Sequence, residues 1–352
     1  MRVLIVKTSS LGDVIHTLPA LTDALAALPG IRFDWVVEEV YAEIPAWHPG
    51  VEQVIPVALR RWRRQPLAAL LSGEWSAFRR RLRESRYTQV IDAQGLLKSA
   101  LITAMARGLR CGLDWASARE PLAALAYRKR LAVAKDLHAV TRVRRLLAGI
   151  LGYPYRAGMP DYGLRRERFQ GPAAKTAYVM FLHGTLWPTK QWPEEHWIAL
   201  GQLVNQAGAS VHLPWGNVAE QARATRIAGA LRYARVLQAM NLQAIAIALA
   251  GAAGAVGVDT GLSHLAAALE VPAVTLYGAT HPALTGAFGK WQQNLSAAFP
   301  CAPCLSRACD YRGAISAPHP ACYSTLLPAA VWQALQSSMA ARRRALFPDP
   351  TG

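Results

Sequence analysis

The sequence has no unbroken apolar run long enough to cross a membrane as a helix. Its longest apolar stretch, residues 242–258, contains Gln243 and three glycines, whereas a membrane-spanning helix needs about 20 apolar residues. We expect a helix that leads into a buried strand there. The first residues also lack the apolar core of a secretory signal, because Lys7 and Asp13 interrupt it. A first β-strand and a cytosolic protein are therefore expected.

Cysteine is scarce, with five residues in 352. Cys111 stands alone, and four others follow the spacing C-x2-C-x4-C-x12-C. These four are Cys301, Cys304, Cys309 and Cys322. A cytosolic setting argues against structural disulfides. The spacing permits a four-thiolate zinc site, but only one pair is closely spaced, so free or occasionally oxidised thiols are the alternative.

Acidic residues are few: 22 Asp and Glu stand against 39 Lys and Arg, which gives a formal charge of +17. Most of the excess lies in residues 1–170, which hold 27 basic and 15 acidic residues. The densest clusters comprise Arg60, Arg61, Arg63, Arg64, Arg79, Arg80, Arg81, Arg83 and Arg86. Such a field attracts nucleic acid, an anionic membrane or a phosphorylated or carboxylated ligand. Charge alone does not choose among them.

The sequence does have enough apolar residues, 52%, to bury two cores, and 352 residues exceed what one core usually supports. Short β-branched runs alternate with helical patterns, which predicts parallel sheets covered by helices. The predicted strands are 3–6, 33–37, 53–57, 89–92, 178–182, 211–214, 236–238, 255–258 and 274–277. The predicted helices are 14–27, 96–105, 194–206, 218–231, 242–250 and 262–269. Residues 152–174 interrupt this rhythm and predict an interdomain connector. The fold class is therefore α/β, with two doubly wound parallel-sheet domains facing each other across a cleft.

Ligands bind at the carboxyl ends of strands in open parallel sheets, so the loops there are the candidate sites. The first loop, residues 8–13, carries small and hydroxyl residues that let a ligand approach a helix N-terminus. It lacks the Gly-x-Gly-x-x-Gly pattern of dinucleotide binding. Asp13 is either a helix-initiating acid or a general base for an acceptor hydroxyl.

A second loop carries Asp259-Thr260-Gly261 at the end of a strand, with His264 one turn into the next helix. The amides of a helix start, a hydroxyl and a glycine suit a diphosphate. Asp259 as a helix cap and His264 as a buried structural histidine are the alternatives. A single Asp-Thr-Gly in an α/β pattern does not indicate an aspartic protease.

Two further segments are candidate anion sites. Lys190 follows the His183-Gly184-Thr185 loop and offers a charge for phosphate, although a lone lysine is usually solvated surface. Residues 60–64, Arg-Arg-Trp-Arg-Arg, have no acid nearby in the sequence and predict an anion-binding loop. No nucleic-acid module accompanies them.

Several motifs together resemble one family. In the first half these are MRVLIVKTSSLGDVIHTLPALTDAL, FDWVVEE, VIPVALRRWRR and IDAQGLLKSA; in the second half they are HxT…KxWPEEHW, LPWG and VDTGLSHLAAAL. In this order they resemble the heptosyltransferase I enzymes of glycosyltransferase family 9, over roughly residues 1–285. The resemblance implies a GT-B fold. It also implies inverting transfer of L-glycero-D-manno-heptose from ADP-heptose to the inner Kdo of Kdo2-lipid A, at the cytoplasmic face of the inner membrane. No cofactor or obligatory metal is implied.

The resemblance also implies roles for individual residues. Asp13 matches the general base. The donor-side candidates are Thr185, Lys190, Glu220, Met240, Asp259, Thr260, Gly261 and His264. The acceptor-side candidates are Ser10, Arg60, Arg61, Arg63, Arg64, Lys98 and Arg119. The implied domains are residues 1–165 for the acceptor and 166–326 for the nucleotide sugar, with a helix in 327–352 that packs back on the first domain.

Two departures from the family stand out. Residues 186–189, Leu-Trp-Pro-Thr, replace more polar residues, and the segment 301–322 has no assigned role. Three alternatives remain: heptosyltransferase II or another core transferase, a nucleotide-sugar epimerase, and an anion-binding module for nucleic acid or membrane. The expected partners are the donor, the lipid acceptor and, peripherally, an anionic membrane, but no nucleic acid.

Overall fold

The computed structural model describes residues 1–172, 174–313 and 319–347, except for the side chain of Leu70. The chain divides into two compact units, Met1–Leu164 and Arg165–Gly352. Each unit contains a six-stranded sheet in which all neighbouring strands pair in parallel. Parallel strands need helical crossovers, and these crossovers supply the helices of both units.

The first unit has the sheet order β3-β2-β1-β4-β5-β6. Its strands are β1 (Arg2–Val6), β2 (Arg32–Glu38), β3 (Val51–Val57), β4 (Gln89–Asp92), β5 (Leu109–Leu113) and β6 (Lys129–Leu131). Its helices are α1 (Leu11–Ile15), α2 (Leu18–Ala27), α3 (Glu43–Ala46), α4 (Leu59–Arg64), α5 (Pro66–Leu71), α6 (Glu74–Glu84), α7 (Leu97–Met105) and α8 (Ala139–Leu151). Two 3₁₀ turns span Glu39–Tyr41 and Pro121–Ala126.

The second unit has the sheet order β12-β11-β10-β7-β8-β9. Its strands are β7 (Tyr178–Leu182), β8 (Ser210–Leu213), β9 (Ala234–Val236), β10 (Gly254–Val258), β11 (Ala273–Tyr277) and β12 (Gln292–Ser296). Its helices are α9 (Glu194–Gln206), α10 (Val218–Gly229), α11 (Leu242–Ala250), α12 (Gly261–Ala268), α13 (Pro282–Thr285) and α14 (Pro328–Leu346). Three 3₁₀ turns span Arg166–Phe169, Pro188–Lys190 and Ala321–Thr325.

The central strands are apolar because helices cover both faces of each sheet. Every residue of β7, β10 and β11 is buried, as are the last four of β1. Fully buried strands read as continuous runs of Val, Ile and Leu rather than alternating ones. The two sheets therefore provide rigid frames from which the loops at their carboxyl ends project.

The structure confirms the α/β class and each predicted strand and helix in type, with ends shifted by a few residues. The helix expected over 14–27 is interrupted between α1 and α2, at His16 and Thr17. The prediction of a loop at Arg60–Arg64 was wrong: these residues form most of α4. Arginine has good helix propensity, and a charge run without Gly or Pro has no local signal that would stop a helix. Strands β5, β6 and β12 were not predicted.

The final helix packs inside the second unit. Helix α14 contacts β10, β11, β12 and α9, and its buried face includes Val331 and Leu335. The helix expected at the end of the chain therefore exists, and packing of this region on the first domain stays a prediction.

Candidate active site

The two units share one strand topology. In each, the chain enters the sheet centrally, adds two strands on one side, then crosses to build the other side. The direction of winding reverses between β1 and β4 in the first unit and between β7 and β10 in the second. Such reversal points open a crevice at the carboxyl ends of the strands and are where doubly wound folds bind ligands. The loops after these four strands hold most of the candidate residues.

In the first unit, the loop after β1 is fastened by the loop after β4. The amide and hydroxyl of Thr8 both donate to Gln94 Oε1, each over 2.8 Å. The Lys98 ammonium donates to Ser9 Oγ over 3.0 Å. Gln94 is itself fixed, because its backbone amide donates to the buried carboxylate of Asp92. These contacts hold the residues before Asp13 in one shape.

Asp13 lies in the first turn of α1 and accepts two hydrogen bonds from Ser10. The Ser10 amide donates to Oδ2 over 2.8 Å and the Ser10 hydroxyl over 2.9 Å, while Oδ1 lies 3.7 Å from the Lys7 ammonium. Burial alone would raise the pKa of the Asp13 carboxyl, but Lys7 and the Ser10 hydrogen bonds together hold it below its usual value. The side chain remains 39% exposed. Asp13 thus serves the helix start and also presents an ionised carboxylate to solvent.

Two acceptor-side candidates lie near this carboxylate. Arg119, exposed after β5, is close enough to lower the pKa of Asp13. Lys98 starts α7 and reaches Ser9 beside Asp13; burial lowers the pKa of its ammonium, which Glu38 partly counteracts. The structure therefore places Ser10, Lys98 and Arg119 around Asp13.

The arginines of α4 differ in their contacts: one forms ion pairs with glutamates, and the other three line a cavity. Arg61 pairs with Glu39 at 3.0 Å and with Glu74 at 2.8 Å. No acid lies near these arginines in the sequence, but the fold brings Glu39 and Glu74 to Arg61 from other elements. Trp62 Nε1 also donates to Glu74, over 2.7 Å. The other three arginines, Arg60, Arg63 and Arg64, line a cavity beside α4.

In the second unit, a lysine and an aspartate meet at the reversal point. Lys190 follows β7, Asp259 follows β10, and the Lys190 ammonium donates to Asp259 Oδ2 over 2.6 Å. Thr280 donates to the same oxygen over 2.7 Å, and His264 Nε2 lies 3.8 Å from Oδ1. Lys190 also stands over the Trp187 ring, 4.6 Å from its centroid. Asp259 thus contacts both Lys190 and Thr280 and holds the Lys190 ammonium in place.

The start of α12 follows Asp259 directly and forms an anion-binding geometry. Thr260 is the N-cap residue, and Gly261 is the first helical residue. The amides of a first helical turn have no partner within the helix, and they carry the positive end of its dipole. Gly257, near the end of β10, lets the start of α12 pack closely on the strand: a Cβ there would lie 2.3 Å from Ser263 Oγ.

The remaining donor-side candidates follow neighbouring strands of the same sheet. Thr185 follows β7, Glu220 lies in the first turn of α10 after β8, and Met240 follows β9. Glu220 accepts a hydrogen bond from the Gly216 amide over 2.8 Å, and a Cβ at Gly184 would strike its carboxylate at 2.7 Å. The structure brings Glu220 close to the loop of Thr185, and all three lie at the carboxyl edge of the sheet.

The cysteine-rich segment packs beside Lys190. Thr189 Oγ1 donates to the Ser306 carbonyl over 2.6 Å, and the Arg307 guanidinium lies over the Trp187 ring. Burial raises the pKa of the Cys322 thiol to about 11, and the other three cysteines of the segment add to this rise. All four are free thiols. Within residues 1–172, 174–313 and 319–347, no three His, Cys, Asp or Glu side chains are arranged to hold a metal ion.

Sequence reasoning missed several residues that shape the two sites. Lys7, Asp92 and Gln94 fix the Asp13 loop, and Thr280 completes the contacts of Asp259. Each of them lies at or just beyond the end of a strand. Polar residues at strand ends were the signal that could have identified them.

GT-B-type glycosyltransferases have two α/β units, each built on a parallel sheet with polar loops at its reversal point. The profile of glycosyltransferase family 9 (heptosyltransferase) matches residues 75–315. The chain therefore belongs to glycosyltransferase family 9, the heptosyltransferases, and is a glycosyltransferase.

Individual relatives match nearly the whole chain. The chain is 51% identical over 350 residues to the lipopolysaccharide heptosyltransferase 1 of Pseudomonas aeruginosa. This match covers 97% of this chain and 99% of the relative. Among solved structures, it is similar to E. coli heptosyltransferase WaaC with ADP, with a TM-score of 0.85, 47% identity and coverage of 96% and 100% of the two chains. WaaC with ADP-2-deoxy-2-fluoro heptose matches with a TM-score of 0.82, 46% identity and coverage of 96% and 99%.

Proposed function

We propose that this heptosyltransferase transfers L-glycero-D-manno-heptose from ADP-heptose to the inner Kdo of Kdo2-lipid A, with inversion at the anomeric carbon. The 51% identity to a lipopolysaccharide heptosyltransferase 1 over 97% of the chain is the observation that carries this proposal. The WaaC structures contain ADP and a fluorinated ADP-heptose, and these ligands support ADP-heptose as the donor.

Asp13 is the proposed general base. An acceptor hydroxyl gives its proton to the Asp13 carboxylate while its oxygen forms the new bond to the anomeric carbon of heptose. Both hydrogen bonds from Ser10 end on Oδ2, so Oδ1 is the oxygen proposed to receive the proton. The lowered pKa keeps the carboxylate ionised at neutral pH, which is the state that a base needs.

Lys190 and the start of α12 are proposed to hold the leaving diphosphate. As the bond from the anomeric carbon to the diphosphate breaks, negative charge grows on ADP, and cations or amides already in place stabilise that charge. Asp259 and Thr280 position the lysine in the resting protein. Thr185, Thr260, Gly261 and His264 are proposed to line the same donor site, with Glu220 near the ribose and Met240 against the base.

The acceptor side is proposed to use Ser10, Lys98, Arg119 and the α4 arginines. Arg60, Arg63 and Arg64 are exposed and suit bidentate contacts with carboxylates and phosphates. Arg61 is already engaged by two glutamates, so its contribution is proposed to be smaller. The proposed domains are residues 1–165 for the acceptor and 166–326 for the donor, and no step requires a metal or cofactor.

We expect the protein to associate peripherally with the cytoplasmic face of an anionic inner membrane. Arg79, Arg80 and Arg83 form a second basic group on α6, in which Arg79 and Arg80 are exposed, and such groups attract anionic lipids. Within the part of the chain that the structure describes, no helix has the length and apolar character to cross a bilayer. Flotation with phosphatidylglycerol vesicles at low and high salt tests this: binding should fall steeply with salt, and salt-insensitive binding would contradict the electrostatic mode.

The decisive experiment measures ADP release from ADP-heptose with and without Kdo2-lipid A. Release that requires the acceptor is expected, because the transferase passes the sugar to a lipid rather than to water. A third reaction with an acceptor that already carries one heptose separates the proposal from a type II enzyme. A preference for the heptosylated acceptor, or release without any acceptor, would contradict the proposed function.

A further inference from the structure

A cavity of about 660 Å³ lies beside α4 in the first unit, and the proposed function gives a role only to the cations that line it, not to its apolar walls. Its volume falls within the range of roughly 300–1,000 Å³ that is typical of small-molecule sites. It is formed by residues of α4, α5, α6 and α7 together with the end of β2. All of these elements belong to the first unit.

The walls of the cavity are mainly apolar. Leu59, Trp62, Ala69, Trp75 and Leu101 contribute to them. The Trp62 and Trp75 rings meet edge to face with centroids 5.6 Å apart. The ring N–H of Trp62 donates to Glu74. The part of the Trp62 ring that faces the cavity is therefore apolar. Leu101 is 58% exposed, which leaves a large apolar side chain without protein cover. These walls suit a hydrocarbon ligand.

The rim of the cavity is cationic. Arg60, Arg63, Arg64 and Lys98 line it, and Glu38 is the acidic residue among them. Glu38 already accepts a hydrogen bond from the Arg60 amide over 2.9 Å. A hydrocarbon pocket with cations at its mouth fits an amphiphile that has an anionic head and an apolar tail.

Lys98 connects this cavity to the Asp13 site. It lines the cavity, and its ammonium donates to Ser9, in the loop that precedes Asp13. An acceptor whose anionic groups contact Lys98 and Arg60 would therefore have its reactive sugar near Asp13 while its apolar part enters the cavity.

We propose that the cavity binds one acyl chain of the lipid acceptor, while the cations at its rim hold the acceptor's anionic groups. This deepens the proposed function and rests on it for the lipid nature of the acceptor. Each methylene transferred from water to an apolar site strengthens binding about fourfold, so even partial entry of a chain would have a measurable effect on affinity.

Calorimetry with decyl phosphate, below its micelle concentration, and with inorganic phosphate tests the cavity directly. Decyl phosphate is expected to bind at least about 100-fold more tightly, since only it places methylenes in the cavity. Leu101→Gln should weaken decyl phosphate binding by about fivefold or more. Leu97→Gln is the matched control, because Leu97 is also an exposed leucine of α7 but does not line the cavity. Equal binding of the two phosphates, or equal effects of the two variants, would overturn the proposal.

A second comparison uses acylated and fully deacylated Kdo2-lipid A as acceptors. Leu101→Gln should raise KM for the acylated acceptor more than KM for the deacylated one, whereas Leu97→Gln should change neither. The same change of KM for both acceptors would overturn the proposal. If neither acceptor supports transfer by the unaltered protein, the proposed function fails, and the decyl phosphate measurements still decide whether the cavity takes an alkyl chain.

Discussion

The two units share a topology but place opposite chemistry at the reversal point. In the first unit, the carboxylate of Asp13 is 39% exposed, and its Oδ1 lies 3.7 Å from the Lys7 ammonium. In the second unit, the carboxylate of Asp259 is buried and in direct contact with Lys190 at 2.6 Å. One arrangement leaves a carboxylate available to solvent, while the other uses a carboxylate to hold a cation in place.

Under the proposed function, this difference lets one fold supply both halves of a displacement reaction. A group that accepts a proton must be ionised and reachable, which Asp13 achieves through Lys7 and Ser10. A group that stabilises a leaving anion must be a fixed cation, which Lys190 achieves through Asp259 and Trp187. Topology provides the crevice, and under the proposed function the charge of the group held there decides which part of the reaction each crevice serves.

Asp13→Asn gives the sharpest test of this contrast. The amide keeps the size of the side chain but cannot take a proton, so kcat should fall by about 10²–10⁴-fold while KM for ADP-heptose changes little. Steady-state kinetics with saturating acceptor measures both. Asp136→Asn is the control, because Asp136 is an exposed aspartate elsewhere in the first unit. Near-normal turnover of Asp13→Asn would show that the first crevice does not contain the base.

Lys190→Ala should break the second arrangement. Removing the cation leaves Asp259 buried without its ion-pair partner and weakens stabilisation of the departing diphosphate, so kcat/KM for ADP-heptose should fall about 100-fold. Lys290→Ala is a matched control, since Lys290 also stands over a tryptophan ring, 4.8 Å from the Trp291 centroid, but lies outside the donor site. Equal losses in the two variants would mean that Lys190 contributes only general charge.

The sequence was enough to predict the α/β class, the central strands and the candidate loops, because buried parallel strands and helix starts leave strong local patterns. It missed the edge strands β6 and β12, which are short or partly exposed and therefore lack a continuous apolar run. It could not reveal that Arg61 meets Glu39 and Glu74, since those contacts depend on how α4 packs near other elements. The cavity beside α4 was missed for the same reason, because several elements form it and no single segment of the sequence predicts it.

Each unit also contains a buried histidine whose pKa is strongly lowered, His48 in the first and His183 in the second, and this predicts acid sensitivity in both. Burial lowers the pKa of His48 and of His183 to about 4, from 6.5. The unfolded chain takes up these protons as the pH falls below 6.5, whereas the folded units resist until about pH 4. Their stability is therefore complete above pH 6.5 and is lost towards pH 4, by about 3 kcal/mol for each histidine.

Hydrogen exchange at several pH values measures this loss separately for the two sheets. His48→Gln should reduce the pH dependence of protection in β1–β4, and His183→Gln should do so in β7–β10. The exposed His319→Gln controls for loss of an imidazole. The same pH dependence in all three variants and in the unaltered protein would show that the acid sensitivity has another source.

The smallest predicted effect separates the arginines of α4 from one another. Arg61 is held by two glutamates, whereas Arg63 lines the cavity. Single contacts between exposed charges are weak, so Arg63→Ala should raise KM for Kdo2-lipid A only about two- to fivefold. Arg61→Ala should raise KM less but lower the thermal midpoint of the protein, because it removes the bridge between Glu39 and Glu74. A larger KM effect from Arg61→Ala than from Arg63→Ala would mean that the acceptor displaces these glutamates, and that the resting ion pairs of α4 do not predict which arginines it contacts.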